Sequence, residues 1–129
     1  MPTELIEFLK QNIQSIGQLE VLLLFQSDIS KSWTVPTLSK HLCSNEKSVE
    51  KWIQDFVRLG FIAVLKEPGV VYRYSPKTKN IENMITLLAE QYKIRPLKVI
   101  DVITNKTTNQ MLSFRDAFKM TKDGKNEDS

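Results

Sequence analysis

The chain has 129 residues, 41% of them hydrophobic, which suits one domain with an ordinary core, or one small domain with an added helical element. Eighteen basic residues against fifteen acidic ones leave a net charge of +3, mild enough to permit a polyanionic partner without demanding one. A single cysteine, Cys43, excludes an intramolecular disulfide and agrees with a reducing compartment.

The first residues are acidic in part and lack the basic-then-apolar pattern of a secretory leader. The apolar run around Leu22 to Phe25 is far too short to span a bilayer. The expectation is a soluble, cytoplasmic protein with no membrane partner. Residues 1–60 carry six basic and seven acidic side chains, net −1, and residues 61–129 carry twelve and eight, net +4. The positive excess therefore belongs to the second half of the chain.

Pro2 to Asn12 begins a short helix with Leu5, Ile6, Phe8 and Leu9 on its apolar side. Ser15 to Gln26 is a stronger helix. Ile16, Leu19, Val21, Leu22, Leu23, Leu24 and Phe25 are too many apolar residues for one stripe, so this helix is expected to be buried on more than one side. A polar break from Ser27 to Ser32 follows, and Trp33 is expected in a very short strand or as a turn anchor. Thr34 is a cap for the next helix, and Pro36 is tolerated in its first turn, where amides lack intrahelical partners. Leu38 and Leu42 are expected to point inward, and Cys43-Ser44 makes the turn. Asn45 caps a helix from Glu46 to Leu59, in which Val49, Trp52, Ile53, Phe56 and Val57 form the apolar stripe. Gly60 stops it.

Phe61 to Lys66 and Val70 to Tyr74 are β-rich, joined by Glu67-Pro68-Gly69-Val70, a Pro-Gly order that a type II turn prefers. Thr78 or Asn80 starts another helix, striped by Ile81, Met84, Ile85, Leu88 and Tyr92. Arg95-Pro96 interrupts it, because the residue before proline avoids the helical region. A further helix then carries Leu97, Val99, Ile100, Val102 and Ile103, and Leu112 to Phe118 suggests a last short one. The expected division is a winged helix-turn-helix with N-terminal helices over residues 1–76, a C-terminal helical extension over 77–120 that packs on it or dimerises, and a flexible tail at 121–129.

Helix, turn, helix, hairpin is the order of a winged helix-turn-helix, a mainly α fold with a small β-hairpin. In such a fold the second helix presents the side opposite its core stripe. Here that side carries Lys47, Ser48, Lys51, Gln54 and Arg58 among Glu46, Glu50 and Asp55. Lysine and arginine reach phosphates or guanine edges, serine donates or accepts, and glutamine pairs with adenine. Lys66 and Arg73, with Lys77 or Lys79, could follow the flanking backbone from the wing. Double-stranded DNA is thus the first partner to test. The bland reading is a solvated helix face, since the three carboxylates cancel Lys47, Lys51 and Arg58. Arg95, Lys98, Lys106, Arg115 and Lys119 widen a basic face only if the C-terminal helices lie beside the wing or come from a second subunit.

The C-terminal segment holds more apolar residues than a small winged domain needs. Ile81, Met84, Ile85, Leu88, Tyr92, Leu97, Ile100 and Ile103 are a candidate homodimer surface. The competing readings are that these helices complete one monomeric core, or that they take a different protein partner. Chemistry is weakly represented. His41 is the one histidine, and with Cys43 it supplies too few ligands for a structural zinc site. Cys43 is expected to be a small buried residue at the turn. No HExxH, P-loop or GxGxxG occurs, so neither enzyme activity nor a cofactor is expected. Trp33 and Trp52 are expected as core anchors of the helix-turn-helix.

Five stretches carry a resemblance. They are Ile16 to Phe25, Ser32 to Leu38, Val49-Glu50-Lys51-Trp52, Leu59-Gly60-Phe61-Ile62 and Tyr72-Arg73-Tyr74-Ser75-Pro76. Together they resemble small uncharacterised bacterial winged-helix proteins and transcriptional regulators of the MarR type, over roughly residues 16–118. The resemblance implies DNA recognition by Lys47, Ser48, Lys51 and Gln54, with Lys66 or Arg73 on the wing, and dimerisation through terminal helices. The chain departs from that pattern in its short wing tip, Glu67-Pro68-Gly69, which has no arginine for a minor groove, and in its electrically neutral reading helix. The alternative to a DNA-binding regulator is a winged-helix adaptor that binds another protein.

Overall fold

The computed structural model describes residues 1–66 and 69–105. The expected turn residues Glu67 and Pro68, the basic residues Lys106, Arg115 and Lys119, the short helix at Leu112 to Phe118 and the tail at 121–129 lie outside the described residues.

Helix α1 (Thr3–Asn12) and helix α2 (Ile16–Ser27) open the chain. Ser15 caps α2 by accepting from the Gln18 amide at 3.2 Å, and the side-chain oxygen of Gln18, a residue 4% exposed, accepts from the Gln14 amide. Leu19, Val21, Leu22 and Phe25 are all fully buried, so α2 runs through the core rather than along it. Strand β1 is two residues, Ser32–Trp33, and helix α3 (Val35–Leu42) follows with Thr34 accepting from the Thr37 amide at 3.2 Å. Helix α4 (Glu46–Leu59) is capped by Asn45, whose side chain accepts from the Ser48 amide at 2.8 Å.

The turn between α3 and α4 corrects one expectation. Cys43 is exposed, with φ 55° and ψ 40° in the left-handed region. It ends α3 as a left-handed cap: its own amide and that of Ser44 both return to the Ser39 carbonyl, so the side chain points away from the core. Leu42 and Trp52 are half-buried at the margin of the core, whereas Leu38 and Trp33 are buried within it.

Gly60, at φ 83°, ends α4 with the amides of Gly60 and Phe61 returned to the last turn. Strands β2 (Ile62–Leu65) and β3 (Val71–Tyr74) form the antiparallel wing, with Val64 opposite Tyr72 and Ala63 opposite Arg73. The short strand β1 adds to the far side of β3, pairing Trp33 with Tyr72 and Ser32 with Arg73, so the sheet order is β1-β3-β2. The alternation sends Trp33, Ile62, Tyr72 and Tyr74 into the core and leaves Arg73 exposed.

Helix α5 (Lys79–Ile94), capped by Thr78, and helix α6 (Pro96–Thr104) pack back on α1 and α2. Ile85, Leu88, Val99 and Ile103 join the same buried cluster as Leu5, Leu9, Leu22 and Phe56. A stack of Phe8, Phe61 and Phe56, with ring centroids 5.5 and 5.6 Å apart, ties α1 to the wing and to α4. The architecture is a mainly α winged helix-turn-helix with additional C-terminal helices. Among the described residues, no helix is long and apolar enough to cross a membrane.

Candidate nucleic-acid interface

The amphipathic pattern of α4 decides which side chains it offers. Val49, Ile53 and Phe56 are buried, and Lys47, Glu50, Lys51, Gln54 and Arg58 stand exposed on the other side. Ser48 is half-buried, and its amide donates to the Asn45 side chain. Lys47 and Lys51, one turn apart in the N-terminal half of α4, form no ion pair among the described residues. Their ammonium groups are therefore available to an external anion. Arg58 differs, since its guanidinium lies 3.1 Å from the Asp55 carboxylate, which offsets its charge near the end of the helix.

Gln54 is engaged in two directions. Its side-chain nitrogen donates to Glu50 Oε2 at 2.9 Å and to the Tyr72 hydroxyl at 3.2 Å. This joins the exposed side of α4 to the central strand of the wing. Burial pushes the Tyr72 phenol above its ordinary pKa, the nearby Glu50 carboxylate adds to the rise, and the Gln54 donor opposes it. The Glu50 to Gln54 spacing of one helical turn is visible in the sequence, but Tyr72 lies eighteen positions beyond Gln54 and only the fold brings it there.

Lys66 follows β2 and is exposed, and Arg73 is exposed on β3 beside a shallow cleft of about 260 Å³ lined by Ala63, Leu65, Tyr74 and Ser75. His41 on α3 packs its ring edge-on to Trp33, with centroids 5.7 Å apart, while Lys31 lies 4.1 Å from the Trp33 ring centre. The sequence named Trp33 as an anchor and missed these partners, for which linear spacing carries no signal. Among the described residues, no group of three His, Cys, Asp or Glu side chains is placed to hold a metal ion.

The candidate dimer residues divide. Ile85, Leu88 and Ile103 belong to the chain's own core and are unavailable to a second copy in this fold. Ile81, Met84, Tyr92 and Ile100 are half-buried. Leu97 is 80% exposed, and Ile94, across the α5–α6 corner from it, is 67% exposed. The core had room for more of these helices than the sequence suggested, because α5 and α6 both pack back onto α1 and α2.

No protein-family model matches the chain, and no curated protein matches it. Solved structures do. The chain is similar in fold to HlyU from Vibrio cholerae N16961, at 21% identity and a TM-score of 0.53, over 71% of this chain and 98% of that one. A structure titled reduced HlyU, from the same organism, aligns at 23% identity and a TM-score of 0.48, over 59% of this chain and 76% of that one.

Proposed function

We propose that this protein binds double-stranded DNA as a small transcriptional regulator, with α4 in the major groove and the β2–β3 wing along the flanking backbone. The observation that carries the reading is the pair Lys47 and Lys51, exposed and without ion-pair partners among the described residues on the first half of the second helix of a helix-turn-helix. Ser48 stands with them, and Lys66 and Arg73 supply cations on the wing side. Gln54 and Arg58 complete the exposed side of α4, Arg58 with its charge offset by Asp55. The same proposal includes a homodimer through the C-terminal helices, for which exposed Leu97 and Ile94 are the available apolar contacts. The winged unit then spans residues 1–76 and the helical extension begins at residue 77.

The test is binding to a pool of duplex DNA fragments across several salt concentrations. Selective binding that weakens with salt supports the regulator. An absence of binding at low salt overturns it. A second reading, an adaptor that binds a protein partner without binding DNA, is favoured by one observation: Glu46 and Glu50 are exposed among the lysines, and half-buried Asp55 offsets Arg58.

A further inference from the structure

Both amide hydrogens of Gln54 are committed, one to Glu50 and one to Tyr72. A glutamine held this way has no donor left for adenine N7 and cannot make the paired contact that glutamine makes with that base. The carboxylate it holds is differently placed. Gln54 occupies one site on Glu50 Oε2, and Oε1 and the remaining lone pairs of this exposed carboxylate have no partner among the described residues. In the major groove, cytosine presents an N4 amino donor, adenine an N6 amino donor beside the N7 acceptor, guanine two acceptors, and thymine an acceptor and a methyl group. An exposed carboxylate is attracted by the first, both attracted by N6 and repelled by N7 of the second, and repelled by the acceptors of the other two, so cytosine is the base it favours.

We propose that Glu50 is a base-selecting residue of α4, accepting from a cytosine N4 amino group, and that Gln54 and Tyr72 are positioning residues that hold its carboxylate. The inference rests on the DNA-binding reading above. Tyr72 is the fixed end of the relay: it is buried, paired with Trp33 on one side and Val64 on the other. Gln54 carries that rigidity one turn along α4 to Glu50. An exposed glutamate without such a tether samples many rotamers and loses that freedom on binding, so the tether raises selectivity. Lys47 and Lys51 flank Glu50 in sequence and offer the phosphate contacts that offset its charge.

The test selects binding sites from a random duplex pool with the full chain and with Glu50→Gln, Glu50→Ala, Gln54→Ala and Tyr72→Phe, followed by competition binding and thermal melts. The wild-type pool is expected to hold a preferred C·G pair whose replacement weakens binding about tenfold or more. Glu50→Gln should abolish that preference while leaving the neighbouring positions unchanged. Gln54→Ala and Tyr72→Phe should weaken discrimination several-fold at the same pair, which a purely structural role would not confine to one position. A cytosine preference that survives Glu50→Gln overturns the proposal. So does a Glu50→Ala variant that binds every duplex more tightly with an unchanged motif, since the carboxylate then only repels. Binding with base preferences unmoved by any variant overturns this inference alone, whereas no binding by the wild-type chain overturns the DNA-binding reading and this inference with it.

Discussion

Gly17 is the second residue of α2, and its missing side chain is what lets the Trp52 indole lie against the helix backbone. A Cβ added there would stand 2.7 Å from Cζ2 and 2.8 Å from Cζ3 of Trp52, with Cη2 nearer still. All these atoms belong to one rigid ring, so relief requires the whole indole to move and α2 to part from α4. Gly17→Ala gains helix propensity, at most about 1 kcal/mol in a helix interior and less at a second position. Against this, overpacking of a formed interface costs about 1–3 kcal/mol. The net expectation is a loss of about 1–2 kcal/mol, or a Tm lower by about 5 °C in a chain of this size. Urea denaturation followed by circular dichroism measures it, and a mutant cycle with Trp52→Leu isolates the cause. With the indole gone, Gly17→Ala should become neutral or slightly stabilising. An equal cost in both backgrounds, or a rise in stability in the wild-type background, would refute the assigned contact.

Lys47→Ala and Lys51→Ala should each weaken duplex binding across all sequences and lower the slope of log affinity against log salt by about 1, measured by fluorescence anisotropy. Cys43→Gly should raise stability by about 1 kcal/mol in chemical denaturation, because Cys43 occupies the left-handed region and glycine does so without strain. Gly60→Ala should do the reverse and cost more than about 1 kcal/mol, since a Cβ at φ 83° also meets Lys77 Cβ at 2.9 Å. Tyr74 is held up to about 12 by burial first and by Glu82 second, so the folded state keeps a proton there that the unfolded chain releases near 10. Stability is therefore expected to be intact below pH 10 and to fall as the pH rises from 10 towards 12, as followed by circular dichroism with phenolate absorbance. Tyr74→Phe should flatten that fall and leave neutral-pH stability equal or higher, because the buried Tyr74 hydroxyl has no hydrogen-bond partner among the described residues.

Local chemistry made most of the elements legible in advance. Ser15, Thr34, Asn45 and Thr78 begin helices because a short polar side chain satisfies an amide that the first turn leaves open, and that needs no distant partner. Gly60 ends α4 for an equally local reason, and the apolar period of α4 names the exposed Lys47 and Lys51 without any knowledge of what covers the other side. The two strands of the wing followed from their β-branched and aromatic runs.

Contacts between distant segments were decided by the tertiary structure. Cys43 was expected inside by residue type, but the cap geometry of α3 turned it outward. Ile85, Leu88 and Ile103 were offered to a second copy, and the packing of α5 and α6 onto α1 and α2 placed them in the chain's own core. The relay from Tyr72 through Gln54 to Glu50 exists because β3 passes beside α4, and nothing in their linear separation announces it. Periodicity and capping are properties of neighbouring residues and can be read along the chain. Which apolar side meets which, and which polar side chains reach one another, depends on how the elements cross once their buried faces are matched.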